Sequence, residues 1–326
     1  MSLCTILSID GGGIRGIIPA KILAEIERRT GKPIAKLFDF VAGTSTGGIL
    51  AVGLGQPSPT TGQPQYAAAD LIELYAKEGA RIFHHSCWHM VKAVGNLMGP
   101  RYDGDGARTV FDQYFGATTL KQSKTRLMVT SYDIERRAPI FFKSWRAQTD
   151  AAHDFRMADV ARATSAAPTY FPPVQLTNGS ERYALVDGGV FANNPTMCVL
   201  ADVKKLLPSD TQFFVVSLGT GNADRKLPFD DAKGWGLAGW AHPLIDILID
   251  GVSDTVDYEA RELVPDGKYH RFQTALDPSI QEMDDTHAST IEKLKACADR
   301  LIAERASDLS AICATLKGAK FGQAVS

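Results

Sequence analysis

Short apolar runs alternate with amphipathic stretches along most of this chain. Six runs have the length of buried strands and lie near residues 3–9, 38–42, 126–132, 139–143, 183–186 and 213–218. After the first run, Ile18, Ile22 and Ile26 recur once per helical turn, and Gly31 stands where that helix would end. Helical periodicity returns at about 240–262 and 286–316. The alternation predicts an α/β fold, a three-layer α/β/α sandwich with a mainly parallel central sheet.

Length and composition indicate one large domain. Of the 326 residues, 44% are hydrophobic and 22% are charged, which is ample for one sizeable core. We expect the core at about 1–220 and a helical flank at about 240–316. By composition, 56–65 is a surface loop and 217–236 is a long polar connection dotted with glycines.

Charge and cysteine usage limit the classes of partner. The net charge is −2 and no basic stripe appears, which argues against nucleic acid as a main partner. The five cysteines are scattered, with neither disulfide nor zinc spacing, and a strand begins too early for a signal peptide. We therefore expect a cytoplasmic protein with transient contact to a membrane surface. No calcium-loop motif appears, and we expect no metal and no organic cofactor.

The most informative motif is a nucleophile turn. The second apolar run leads into Gly43-Thr44-Ser45-Thr46-Gly47, the G-x-S-x-G spacing that presents a serine on a sharp strand-to-helix turn. The glycines leave room for the close approaches that such a turn forces. Because three fixed letters also occur by chance, Ser45 needs supporting features elsewhere in the chain.

A glycine-rich loop follows the first strand. Asp10 precedes three glycines and then the first helix, so backbone N–H groups and a helix dipole favour an anion or a developing oxyanion there. The spacing Gly11-x-Gly13-x-x-Gly16 also fits a dinucleotide fingerprint. That fingerprint needs an acidic residue at the end of the second strand, whereas Asp39 stands at its beginning. The position of Asp39 disfavours a dinucleotide.

A carboxylate ends a strand far downstream. Asp187 follows the run at 183–186 and precedes two glycines, Gly188 and Gly189. If its strand is parallel to the first two, Asp187 shares one edge of the sheet with the glycine loop and Ser45. On its own, Asp-Gly is also a common turn.

In this order, the three motifs resemble the patatin-like phospholipases, which are marked by a DGGGxRG loop, a GxSxG turn and a DGG or DGA triplet. The likeness spans nearly the whole chain, through GPRYDG at 99–104, SAAPTYFPP at 165–173, SLGTG at 217–221 and EMDD at 282–285. The resemblance implies a patatin-like fold.

The resemblance also implies roles for individual residues. Ser45 would be the nucleophile and Asp187 its partner in a Ser-Asp dyad. The oxyanion hole would be formed by the backbone amides of Gly11, Gly12 and Gly13. Arg15 matches the arginine of the family's loop, where it would support the site electrostatically or tie the loop to a neighbouring group. Gly43, Gly47 and Gly188 would support the turns.

A dyad without histidine needs an unusual aspartate, because a carboxyl with the ordinary pKa near 3.9 is a poor base for a serine hydroxyl. We expect burial against apolar strand ends to raise the pKa of Asp187. His242, His270 and His287 follow Asp187 in the order found in α/β-hydrolase triads, so a hidden triad stays open. None sits in a glycine turn, and we expect all three to be structural or solvated.

Two apolar stretches could bring a lipid to such a site. Residues 82–100 mix aromatic and methionine side chains with polar ones, a pattern that fits a lid, an interfacial helix or a helix with one face in the core. Residues 234–252 also fit either an interfacial helix or a helix with one face in the core. Their Trp235 and Trp240 would flank an acyl pocket or anchor the protein at a membrane.

These observations predict a lipid acyl hydrolase, an esterase of the phospholipase A or lysophospholipase type that works through an acyl-enzyme. The resemblance supplies the lipid class, a phospholipid, lysophospholipid or galactolipid, whereas the residues alone support acyl chemistry. An acyltransferase using the same serine and a binding or storage protein with this fold stay open. So does an effector that is closed until an unknown activator opens it.

Overall fold

The computed structural model describes residues 2–83, 100–223 and 226–319. Its strands are β1 Leu3–Ile9, β2 Phe40–Gly43, β3 Arg126–Asp133, β4 Ala138–Lys143, β5 Val174–Asn178, β6 Glu181–Asp187, β7 Gln212–Leu218, β8 Asn222–Ala223, β9 Tyr269–Phe272 and β10 Ala275–Leu276. Its α-helices are α1 Ile17–Thr30, α2 Thr46–Gly55, α3 Ala68–Ile82, α4 Asp105–Phe115, α5 Ser144–Ala147, α6 Met157–Thr164, α7 Gly189–Ala192, α8 Thr196–Leu206, α9 Phe229–Ala232, α10 Leu237–Leu263, α11 Ala288–Glu304 and α12 Ala306–Gly318.

One eight-stranded sheet organises these elements. Its strand order is β5-β6-β3-β2-β1-β7-β9, and β4 also pairs with β3. Parallel pairing joins β3, β2, β1, β7 and β9, while antiparallel pairing adds β4, β6 and β5. With helices packed on the sheet, the predicted α/β sandwich with a parallel centre is confirmed.

The central strand shows why the first apolar run is nearly continuous. Leu7 and Ile9 pack into a large core with residues of α1, α2 and α3, whereas Cys4 and Ile6 pack into a second core with residues of α8. Alternate side chains of β1 therefore serve opposite faces of the sheet, and both faces are buried.

Several boundaries differ slightly from the sequence prediction, and two of the differences have a local reason. The strand expected at 38–42 is Phe40–Gly43, because the Asp39 carboxylate accepts hydrogen bonds from the Thr5 backbone N–H at 2.9 Å and the Thr5 hydroxyl at 3.0 Å. The single helix expected at 286–316 is two helices, α11 and α12, which break at Arg305. Strand β5 was not predicted.

The chain after residue 220 contributes to the same sheet and core. Strand β9 pairs with β7, with His270 opposite Val216. Helix α11 packs against α1, where Lys21 forms a 2.8 Å ion pair with Asp299. Most of the candidate lid at 82–100 lies outside the described residues. Among the helices of the described ranges, none is long and apolar enough to cross a membrane.

Candidate active site

Ser45 lies on a strained turn between β2 and α2. Its backbone has φ 54° and ψ −122°, a conformation that is costly for a residue with a Cβ and that packing must hold in place. The Thr164 hydroxyl accepts a hydrogen bond from the Ser45 N–H at 2.8 Å. A Cβ at Gly47 would overlap the Ile9 carbonyl, and one at Gly43 would overlap the Gly47 carbonyl. Both glycines are therefore required by close backbone approaches.

Asp187 reaches the same sheet edge as Ser45, although its strand runs the other way. From the sequence, this shared edge was conditional on a parallel strand, and β6 is instead antiparallel to β3. However, β6 overlaps β3 only from Ser131 to Asp133, at the carboxyl end of β3, so Asp187 stops opposite Ser131. The antiparallel strand thus delivers its last residue to the edge where the parallel strands end.

Hydrogen bonds between buried groups join the two turns. The Thr44 hydroxyl lies 2.7 Å from the Thr130 hydroxyl and donates to the Ala192 carbonyl at 2.6 Å. A Cβ at Gly188 would overlap the Thr130 side chain, so the turn after Asp187 can sit directly on β3. These contacts fix the Asp187 turn against the nucleophile turn.

The Asp187 carboxyl has the electrostatics of a general base. It is 5% exposed, and burial raises its pKa to about 7, while hydrogen bonds from the Ser45 side chain and the Gly189 N–H oppose that rise. The Gly189 N–H donates to Asp187 Oδ1 at 2.7 Å. A carboxyl with a pKa near neutrality can accept a proton from a hydroxyl far better than an ordinary aspartate can.

The glycine loop presents two amides to the site rather than three. The Gly11 N–H donates to the Asn193 carbonyl at 3.1 Å, so that amide is already engaged. Within the described ranges, no acceptor is bonded to the N–H groups of Gly12 and Gly13, and both residues line the same cleft as Ser45 and Asp187. Gly13 has φ 59°, and a Cβ there would also overlap the Met283 carbonyl. The loop suits an oxyanion, with Gly12 and Gly13 as donors.

Arg15 acts as a tie within the protein. Its buried guanidinium donates to the Gly12 carbonyl at 3.2 Å and to the Gln281 carbonyl at 3.4 Å. The Ile14 N–H donates to the Met283 carbonyl at 2.8 Å. The glycine loop is therefore clamped to the segment around EMDD.

A buried ion pair anchors the start of the loop. Arg271 on β9 donates to both carboxylate oxygens of Asp10, at 3.0 and 2.6 Å, and also to the Ser217 hydroxyl at 3.0 Å. Both members of the pair are at least nine-tenths buried. Because such a pair is stable only when its geometry is satisfied on both sides, it fixes the position of Asp10 and of the glycines that follow.

Sequence reasoning missed the residues that hold the site in position. Thr164 ends α6, Asn193 lies in VFANNP, and Arg271 lies in KYHRF. Asn193 uses its carbonyl for Gly11 and its amide for the Ser253 hydroxyl, at 2.9 Å. Of these residues, only Arg271 could have been noticed in the sequence, because a charged side chain inside a strand-like run indicates a buried partner.

An apolar cleft opens at this edge of the sheet. Its volume is about 1000 Å³ when counted out to open solvent, and it is lined by Ser45, Asp187, Gly12 and Gly13 together with apolar residues that include Ile49, Phe83, Tyr170, Phe171, Val190, Leu248, Ile249 and Met283. Such a cleft fits a fatty-acyl chain next to the serine.

Two of the candidate triad histidines, His270 and His287, and the tryptophans Trp235 and Trp240 do not line this cleft. His270 packs against Phe214, with ring centroids 4.9 Å apart, and His287 is exposed beside Asp285. The side chain of His242 lies outside the described residues. Trp235 and Trp240 pack against each other at 5.3 Å instead of flanking the cleft.

Comparison with known proteins gives consistent similarities. Residues 7–200 match the family described as patatin-like phospholipase. Patatin-like protein 2 of Arabidopsis thaliana is 35% identical, over 92% of this chain and 83% of its own length. Patatin-T5 of Solanum tuberosum is 31% identical, over 94% of this chain and 85% of its own length. The crystal structure of VipD from Legionella pneumophila covers 92% of this chain and 67% of its own, with 14% identity and a TM-score of 0.38.

The raised pKa of Asp187 predicts a pH profile. With a soluble short-chain ester, kcat/KM should fall about tenfold per pH unit below pH 7, because the protonated carboxyl accepts no proton. Stability should change in the opposite sense. Since the folded pKa lies above the ordinary value, folding becomes less favourable as pH rises from about 4 to 7.

Initial rates and thermal unfolding from pH 5 to 9 measure both effects. His270→Ala is the matched control, because burial lowers the pKa of that histidine and its loss should leave the profile unchanged. A flat profile between pH 5 and 8 would rule out Asp187 as the base.

The buried pair predicts a large and specific loss of stability. Arg271→Met should reduce the free energy of unfolding by about 3–5 kcal/mol, because it leaves the Asp10 charge buried and unpaired. Adding Asp10→Asn should recover part of that loss. Urea unfolding at pH 7 is the measurement, and Arg182→Met, which removes an exposed pair with Glu135, should cost less than about 1 kcal/mol. Equal losses for the two arginines would contradict the anchoring role.

Proposed function

The chain belongs to the patatin-like phospholipase family, and from this premise we propose that it is a lipid acyl hydrolase that uses Ser45 and Asp187 as a catalytic dyad. The observation that carries the dyad is the buried Asp187 carboxyl, with a pKa raised to about 7, hydrogen-bonded to a serine on a strained turn. The apolar cleft beside both residues supports a fatty-acyl ester as substrate.

The proposed reaction has two steps. In the first, the Ser45 hydroxyl attacks the ester carbonyl while its proton passes to Asp187, and the oxyanion is held by the N–H groups of Gly12 and Gly13. Collapse breaks the ester C–O bond, and the protonated Asp187 returns that proton to the departing alcohol. In the second step, Asp187 takes a proton from water, the hydroxide attacks the acyl-enzyme, and Ser45 recovers the proton as fatty acid leaves.

The elements of this reaction are supplied by protein groups. We propose that turnover is independent of calcium, because the carboxyl supplies the proton transfer and the amides supply the oxyanion stabilisation. An acyltransferase would use the same first step and pass the acyl group to another acceptor, so analysis of products with added alcohols separates the two.

The mouth of the cleft continues into an exposed apolar stripe on α10. Trp240, Leu244, Ile247 and Leu248 are 37–49% exposed and recur at helical spacing, and Leu248 also lines the cleft. We propose that this stripe rests on a lipid surface, because a lipid leaving that surface would enter the cleft over Leu248 without crossing water.

A long-chain fluorophosphonate tests the nucleophile. The probe should form an adduct on Ser45, since it reacts with serines activated beside an oxyanion site, and Asp187→Asn should lower the labelling rate at least about 100-fold. Mass spectrometry of digested protein identifies the modified serine. Asp202→Asn, the same change at a partly buried ion pair with Lys143 that does not line the cleft, serves as the control and should label normally. Labelling of another serine instead of Ser45 would refute the assignment.

Two exposed leucines test the lipid surface. Leu244 on α10 and Leu206 at the end of α8 are 47% and 48% exposed. Leu244→Asp should weaken sedimentation with phosphatidylcholine vesicles at least about tenfold, because it places a charge in the apolar stripe, whereas Leu206→Asp should not. Equal binding by both variants, with unfolding midpoints like that of the parent, would exclude α10 as the contact.

A further inference from the structure

A second cavity lies beside the catalytic cleft and shares Ser165 and Phe171 with it. Its volume is about 420 Å³ when counted out to solvent. Its wall includes residues of two motifs that the chemistry of the dyad does not use, RYDG at 101–104 and SAAPTYFPP at 165–173, together with Asp105, Ala107, Arg162 and Val174. Backbone hydrogen bonds from Arg101 to Thr169, at 2.9 Å, and from Tyr102 to Tyr170, at 2.7 Å, join the two motifs.

The cation in this wall is Arg162 on α6. Its side chain is three-quarters buried, and its Nη1 lies 3.7 Å from Asp159 Oδ1, too far for a hydrogen bond. Among the described residues, its guanidinium donates no hydrogen bond. Burial lowers the pKa of Arg162, although the nearby carboxylates of Asp159, Asp112 and Asp105 oppose that shift. An anion in the cavity would supply the hydrogen-bond acceptor that Asp159, at 3.7 Å, does not provide.

Two carboxylates share the cavity with Arg162. Asp103 Oδ1 accepts a hydrogen bond from the Asp105 N–H at 2.9 Å, in the turn that begins α4. The Asp105 side chain is exposed and accepts no hydrogen bond from the residues that the structure describes. One cation and two anions in a single cavity favour a ligand that itself carries both signs of charge.

We propose that this cavity is a headgroup subsite for zwitterionic phospholipids, with the phosphodiester at Arg162 and the choline or ethanolamine ammonium at Asp103 and Asp105. The proposal rests on the proposed function, because Ser165 follows Thr164, whose hydroxyl holds the Ser45 N–H. A lipid with its ester at Ser45 would thus place its polar end in this direction. A galactolipid has no anionic group to pair with Arg162. A phospholipid with a glycerol headgroup has no cationic group to pair with the two carboxylates.

Binding of two non-hydrolysable ligands tests the subsite without turnover. Hexylphosphocholine and hexyl galactoside carry the same chain, and calorimetry on the full chain with Ser45→Ala measures both below micelle formation. Hexylphosphocholine should bind at least about tenfold more tightly. Arg162→Gln should bring the two affinities within about twofold. Arg108→Gln, which removes a neighbouring exposed charge that does not line the cavity, should preserve the difference.

The subsite would be overturned if the Ser45→Ala protein bound hexylphosphocholine and hexyl galactoside with equal affinity. It would also be overturned if Arg162→Gln left the ratio of the two affinities unchanged, whether both affinities stayed the same or both fell equally. If Arg162→Gln does not fold, Asp103→Asn is the second variant and should weaken hexylphosphocholine alone, about threefold or more. The ratio of the two ligand affinities is measured without catalysis, so it tests the subsite alone. Failure of fluorophosphonate labelling would instead count against the dyad.

Discussion

The site depends on keeping water away from one carboxylate. In the proposed dyad, Asp187 can take the proton of the serine hydroxyl because burial raises the pKa of its carboxyl, so the elements around Asp187 matter because they exclude water. Strand β6 brings Asp187 in beneath the loop after α6, and the Asp187 N–H donates to the Ala166 carbonyl at 2.9 Å. Gly188 allows the next turn to lie directly on β3. In the dyad that we propose, desolvation of Asp187 takes the place of the histidine of a triad.

The sequence predicted the catalytic turns better than their supports. G-x-S-x-G and the glycine loop are local patterns, because each needs particular dihedrals within a few residues, and the central strands read directly as apolar runs. The direction of β6 could not be predicted from the sequence. The pattern of apolar residues in a strand indicates which side chains are buried, but not which strand it pairs with or in which direction. The engagement of the Gly11 amide by Asn193 and the pairing of Asp10 with Arg271 depend on residues far apart in the chain.

Hydrogen bonds around the Ser45 turn offset the strain in its backbone. Ser45 is held at a positive φ, and the neighbouring Thr44, Thr130 and Thr164 hydroxyls each make a buried or partly buried hydrogen bond that holds the turn. The arrangement is rigid because each of these groups has few alternative partners. We therefore expect differences in substrate choice to depend on the cleft and the cavity beside it, whose walls combine loop residues with residues of α2, α6 and α10.

The pairing of Asp10 with Arg271 also has a consequence for the order of assembly during synthesis. These residues are 261 positions apart, and β1, the central strand, receives its second parallel neighbour, β7, only at residues 212–218. A nascent chain on the ribosome therefore carries Ser45 long before its glycine loop has an anchor. We therefore expect the site to become active only after Arg271 has emerged, when nearly the whole chain has been made.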